Sequence, residues 1–279
     1  MKNIISAITM ALLLVACAKP AETEFKVPSP EDVVMYQVNP RNYAPENSFN
    51  AVASHLDSIQ TMGVNVLWFM PIYEIGELKS VNSPYSIRDY RSVNPEFGTL
   101  EDFKTLVAES HKRGMIVIID WVANHTSWDS QWIYDHPEWY THNEEGEIIC
   151  PEGTGWEDVA DLDFSKPDMC QEMIDAMKFW VEEIGVDGFR CDVAPLVPVE
   201  FWRWLIDMLR ENYEPIMIAE IYQPHLYKEY IYAGFDYLYD KVGLYNTLEN
   251  IYRHGQRADT ITNVWNSLQG LGDAMLRFM

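Results

Sequence analysis

Short, nearly unbroken apolar runs recur along this chain, separated by amphipathic stretches. Val64 to Ile72, Met115 to Val122 and Ile216 to Ile221 are the clearest. A strand that is apolar on both faces persists only where both faces are covered, which is the situation of a parallel sheet wrapped in helices. The stretches between have helical spacing. Val52, Leu56, Ile59 and Met62 share one face of a helix over 50–62, and Gly63 stops it. Thr99 has the character of an N-cap, with Asp102 three residues on. Phe103, Leu106 and Val107 follow on the inward face, and Gly114 ends that helix. A third helix is expected over 167–184. Further strands are expected at 33–38, 188–193 and 235–239, with helical stretches between them.

Alternating strands and helices imply an α/β fold. In a doubly wound sheet a glycine-rich phosphate loop commonly follows the first strand. Here that strand ends Gln37-Val38-Asn39-Pro40-Arg41, with no such glycines. The expectation is therefore a TIM (β/α)8 barrel, with its site at the C-terminal ends of the strands. The alternation breaks between Asn124 and Asp163, a stretch rich in Trp, His, Gly and acids and too long for an ordinary connection. It reads as a small inserted domain after strand 3. A seventh strand starts at Ala274 to Met279, so the barrel is expected to be C-terminally incomplete, and the chain as it stands inactive and poorly stable. The expected partition is 1–16 signal peptide, 17–30 tether, 31–124 first part of the barrel, 125–164 inserted domain and 165–279 the barrel continued.

Met1-Lys2-Asn3 is a basic start to an apolar run, Ile4 to Ala16, that is too short to span a bilayer with margin. It ends Leu14-Val15-Ala16-Cys17, which matches a bacterial lipobox, so Cys17 is the expected lipidation site. Several acyl chains on one residue anchor stably, at about 0.8 kcal/mol per buried methylene. The protein is thus expected at the bacterial cell envelope, membrane-anchored through lipid. A net charge of -23 excludes nucleic acid as a natural partner, because phosphates are repelled. It does not disfavour a neutral sugar. Aromatic residues make up 13% of the chain; most belong in the core, and a minority are candidate platforms for sugar rings. Cys150, Cys170 and Cys191 remain after Cys17; a Cys150–Cys170 bridge is conceivable, but spacing does not establish it.

Chemistry concentrates where the apolar runs end. Strand three runs into Asp120, Asn124 and His125, strand four into Arg190 and Asp192, and strand five into Glu220. A buried carboxylate is costly unless paired or used. Asp192 and Glu220 on neighbouring strands suit glycoside hydrolysis, which needs one ionised and one protonated carboxyl flanking the bond. Arg190 should favour the ionised form of Asp192. The apolar run before Glu220 should raise its pKa for acid duty.

With these residues in place the sequence resembles the α-amylase family of glycoside hydrolases. Asp120-Trp121-Val122-Ala123-Asn124-His125 matches its first motif, Gly188-Phe189-Arg190-Cys191-Asp192 its nucleophile motif and Ile218-Ala219-Glu220 its acid/base motif. Tyr85 to Tyr90, followed by Val93 to Gly98, resembles the stretch that supplies a stacking tyrosine; Gly63 to Pro71 and Asp161-Leu162-Asp163 match two further motifs. The resemblance implies retaining cleavage of α-1,4-glucosidic bonds in starch or maltodextrins, with Asp192 as nucleophile and Glu220 as acid/base. It also implies that Arg190 positions Asp192, His125 hydrogen-bonds the sugar, Tyr85 stacks beneath it and Asp120 supports the site. Asn124 corresponds to a ligand of Ca2+ in many members. Two departures stand out. Pro195-Leu196 replaces a Lys-His pair that helps bind acceptor sugar and calcium, and the last motif, carrying a third essential carboxylate, is absent. Cleavage of α-1,6 bonds, neopullulanase-like mixed cleavage, transglycosylation and non-catalytic glucan binding by an anchored lipoprotein remain open.

Overall fold

The computed structural model describes residues 28–276; Cys17 and the expected signal segment lie outside them. Seven strands form one parallel sheet: β1 (Met35–Val38), β2 (Val66–Phe69), β3 (Ile116–Trp121), β4 (Gly188–Cys191), β5 (Ile216–Ala219), β6 (Tyr237–Tyr239) and β7 (Met275–Leu276). Each pairs with the next in sequence, and every pairing is parallel. Helices α1 (Ser48–Thr61), α2 (Leu100–His111), α3 (Pro167–Phe179), α4 (Val199–Arg210) and α5 (Tyr227–Ala233) connect them. This is a (β/α)8 barrel with seven of its strands among the described residues. No described strand joins β7 to β1. A cavity of about 860 Å3 lies at that seam, lined by Val33 and Met35 on one side and Met275 and Leu276 on the other.

Side-chain alternation sorts the strand residues into two cores. Val66, Trp68, Ile116, Ile118, Ile216, Ile218, Tyr237 and Tyr239 fill the lumen. The intervening residues, among them Leu67, Phe69, Val117, Ile119, Phe189 and Met217, join the helices' Leu56, Phe103, Leu106, Met173, Trp202 and Leu205 in the outer core. The same period of two carries on past the aliphatic layers: Ile116 and Ile118 lead to Asp120, and Ile216 and Ile218 lead to Glu220. Gly188 occupies the lumen parity of β4 opposite Ile216 and Ile118. A Cβ there would sit 2.2 Å from the Ile216 carbonyl oxygen.

Helix starts and stops follow local chemistry. Thr99 caps α2 by accepting from the Asp102 N–H, and Asp102 accepts from the Thr99 N–H in return, a complete capping box. Met62 departs from the expected inward face and is 60% exposed. It lies one residue beyond the end of α1, where Gly63 turns the chain at φ 83° toward β2. After β3 the chain leaves the barrel, and His125–Ser127 pairs antiparallel with Val159–Asp161 at the base of the expected insert. A second excursion after β2 pairs Glu74–Ile75 with Ile87–Asp89. Cys150, Cys170 and Cys191 are all free thiols. No described helix is long and apolar enough to cross a membrane.

Gly188→Ala should destabilise the chain by about 3 kcal/mol or abolish folding, because the clash is with backbone that cannot step aside. Urea unfolding followed by circular dichroism measures it, and an unchanged midpoint would contradict the close approach of β4 to β5.

Candidate active site

The charged ends of three adjacent strands meet on one guanidinium. Arg190, 4% exposed, stands opposite Asp120 in the β3–β4 register and opposite Ile218 in the β4–β5 register. Its Nη1 lies 2.5 Å from Asp120 Oδ1 and 2.6 Å from Asp192 Oδ1. Its Nη2 lies 2.9 Å from Glu220 Oε1, and its Nε donates to the Tyr239 hydroxyl at 2.7 Å. The rings of Trp68 and Tyr239 flank the cation at 5.4 and 5.2 Å. Lumen parity explains the convergence, since Asp120, Arg190, Asp192, Glu220 and Tyr239 all continue inward-facing rows.

Glu220 receives more donors than Asp192. Besides Arg190 it accepts from the Tyr222 hydroxyl at 2.5 Å and from the Val193 backbone N–H at 2.8 Å. Val193 reaches that position with φ 37°, a left-handed conformation that is strained for a β-branched residue and costs about 1–3 kcal/mol. The strain falls between the two carboxylates and aims one N–H at the second.

Three carboxylates around one cation cannot all ionise freely. Burial, opposed by Arg190 and reinforced by the neighbouring Asp120 and Glu220, pushes Asp192 well above the ordinary carboxylate range. Burial also lifts Asp120, to about 6. Burial pushes Glu220 upward too, but Arg190, Tyr222, the Val193 N–H and Asp192 together hold it below its usual value. These directions run opposite to those expected from sequence, because Glu220 receives more donors than Asp192. Burial lowers His125 to about 4, so it stays neutral.

A cavity of about 540 Å3 opens above this cluster, lined by Tyr85, His125, Arg190, Asp192 and Glu220 of the expected residues. Asp120 lies beneath it, fully buried. Trp156, Val193 and Tyr222 also line it and were not singled out from sequence. Tyr222 shares strand parity with Glu220, a signal that was available. Trp156 sits in an irregular stretch between Gly155 and Glu157, where no periodicity marks it.

Known proteins share this fold. A family described as alpha amylase, catalytic domain, matches residues 42–147 and 153–225. The chain belongs to the α-amylase family. Among relatives, an alpha-1,4-glucan:maltose-1-phosphate maltosyltransferase of Rhodospirillum rubrum is 32% identical over 232 residues, covering 73% of this chain and 33% of its own. A trehalose-6-phosphate hydrolase of Bacillus subtilis is 34% identical over 200 residues, covering 59% and 35%. The crystal structure of an alpha-amylase from Lactobacillus plantarum superposes with a TM-score of 0.77 at 34% identity, covering 88% of this chain and 61% of that one. The chain thus spans about a third of the length of these two curated relatives.

Membership of the α-amylase family raises calcium at Asn124. The Asn124 side-chain amide lies 3.4 Å from Asp161 Oδ1 and 3.3 Å from His125 Nδ1. Calcium takes six to eight oxygens. Among the described residues no three His, Cys, Asp or Glu side chains converge to hold a metal. Asn124 ties the exit of β3 to the returning strand at Asp161.

Removing the cation would leave the carboxylates buried and uncompensated. Arg190→Met should cost about 3–5 kcal/mol near pH 8. Each carboxyl then has a folded-state pKa above its unfolded one, so stability is retained below the unfolded carboxylate range and lost as pH rises. Thermal unfolding of the variant from pH 4 to 8 tests this, and a pH-independent loss would contradict it.

Proposed function

We propose that the protein is a retaining glycosidase that cleaves α-1,4-glucosidic bonds of starch or maltodextrins. The observation that carries this is the pair Asp192 and Glu220, held on two nitrogens of one guanidinium at the floor of a cavity. That shared grip favours the closer carboxyl spacing, about 5–5.5 Å, used by retaining enzymes. In the first step Asp192 attacks the anomeric carbon, the glycosidic C–O bond breaks, and Glu220 gives its proton to the leaving oxygen. In the second, Glu220 takes a proton from water, whose oxygen displaces Asp192. Arg190 orients both carboxylates, Asp120 holds Arg190, Tyr85 stacks on the sugar and neutral His125 hydrogen-bonds it.

For the first step Glu220 must carry the proton and Asp192 must be ionised. The leaving oxygen needs the place at Glu220 that the Tyr222 hydroxyl occupies. Displacing that donor raises the proton affinity of Glu220, while positive charge developing at the anomeric carbon favours an ionised Asp192. Similarity to a maltosyltransferase favours a second reading, transfer of the glycosyl unit to a sugar acceptor instead of water. The protein is further proposed to be lipid-anchored through Cys17 at the cell envelope.

In a protein that carries the whole barrel, Glu220→Gln should lower kcat on maltoheptaose by about 10^2- to 10^4-fold. Proton NMR of the first product should show the α-anomer, and the β-anomer would refute retention. Digests of maltoheptaose and pullulan separate α-1,4 from α-1,6 cleavage, and longer products would reveal transfer. Tyr222→Phe should move the alkaline limb of the kcat/KM profile to higher pH, since the lost donor had favoured the ionised acid. Labelled palmitate should enter the wild type in a bacterial host and not Cys17→Ser; equal labelling would reject the anchor.

A further inference from the structure

The left-handed turn at Val193 aims more than one N–H. With φ at 37° there, two successive amides meet Glu220. The Val193 N–H donates to Oε2 at 2.8 Å, and the Ala194 N–H donates to the Glu220 main-chain oxygen at 3.1 Å. The Glu220 N–H donates in return to the Cys191 carbonyl at 3.0 Å. Glu220 is thus laced to the turn by backbone and side chain alike. A β-branched residue keeps a left-handed conformation only where its surroundings over-determine it.

The restraint lies one residue further on. The carbonyl of the fully buried Ala194 accepts from the Val197 N–H at 3.2 Å, the Trp202 indole N–H at 3.0 Å and the Tyr230 hydroxyl at 3.2 Å. Trp202 belongs to α4 and Tyr230 to α5, and both are buried. Their rings pack on Phe235, with centroids 5.5 and 5.7 Å from it. Burial, reinforced by Glu229 and Glu200, pushes Tyr230 up to about 12, so its hydroxyl keeps its proton and stays a donor. Ala194 is pinned at both ends, its N–H on Glu220 and its carbonyl on two helices. Relaxing Val193 would carry Ala194 away and strand two buried donors, each of which is costly to leave unpaired.

We infer that Trp202 and Tyr230 are positioning residues for Glu220, acting through the Ala194 carbonyl to keep Val193 left-handed and its N–H on Oε2. Neither is among the residues that line the catalytic cavity. The inference rests on the reading of Glu220 as acid/base and deepens it. With Oε2 held by the turn, Oε1 is the oxygen left toward Tyr222 and the leaving group.

The experiment uses the full chain with 13C at the glutamate side-chain carboxyls. The Glu220 signal, identified by its loss in Glu220→Gln, is followed by NMR as pH changes. Arg190, Asp120, Asp192, Tyr85, Tyr222 and Tyr239 are the ionisable groups that face Glu220, and the variants leave all of them in place. Tyr230→Phe keeps the ring and removes only the hydroxyl. It should lower the acid dissociation constant of Glu220 about threefold or more, because a carboxylate that loses a donor holds its proton more tightly. Trp202→Phe should act in the same direction. Ile206→Val, on the same helix as Trp202, removes buried packing and no hydrogen bond, and should leave the constant unchanged. Adding Val193→Gly to Tyr230→Phe should recover part of the change, since glycine takes the left-handed conformation without strain. An unmoved Glu220 in both Tyr230→Phe and Trp202→Phe overturns the inference, whether or not the protein turns over glucan. An equal change in Ile206→Val overturns it as well, by reducing the effect to loosened packing, and so does a Val193→Gly addition that recovers nothing. A moved Glu220 in a protein without turnover upholds the clamp and counts against the catalytic reading alone.

Discussion

A single buried guanidinium organises this molecule's polar interior. Arg190 is the one cation shared by Asp120, Asp192 and Glu220, and the rings of Trp68 and Tyr239 lie beside it. Without it, β3, β4 and β5 would end in three mutually repelling acids inside a hydrophobic tube. With it, the same acids become geometrically fixed. The aliphatic layers of Ile116, Ile118, Ile216 and Ile218 make this arrangement sharp. They exclude water from below, so hydrogen bonds to Arg190 are the main compensation the acids receive for leaving solvent.

The positions of these acids were legible in the sequence because strand parity is rigid. Once Ile216 and Ile218 face inward, Glu220 must follow, and the same holds for Asp120 after Ile116 and Ile118. Arg190 and Asp192 share that parity on β4. The protonation of the pair was not legible. It depends on how many donors each carboxylate receives, and two of those at Glu220, the Tyr222 hydroxyl and the Val193 N–H, follow from a left-handed residue and a side-chain rotamer. Neither leaves a trace in hydrophobic patterning.

Irregular segments show the same boundary. The insert was recognisable as a break in periodicity, but nothing in its composition placed Trp156 against His125 or Trp128 beside Lys79. Those contacts arise from the pairing of His125–Ser127 with Val159–Asp161, which brings distant parts of the insert to the barrel mouth. Asn124 stands at the same junction, its side-chain amide beside Asp161 of the returning strand. Met62 fits the helical repeat, yet the repeat outlasts the helix by one residue.

The closed floor beneath Arg190 fixes the order of traffic. Trp68 and Tyr239, both buried, stand between the guanidinium and the seam of the sheet, and the isoleucine layers plug the rest. In the mechanism proposed, molecules then come and go through the mouth of the catalytic cavity. The water of the second half-reaction enters where the first product departs, so arrival waits on departure. A sugar that lingers in the doorway, gripped by aromatic rings nearby, stands where water should and is itself poised to accept the glycosyl group. Hydrolysis and transfer thus become two outcomes of one queue, decided by dwell time at the mouth rather than by a change in the acids below.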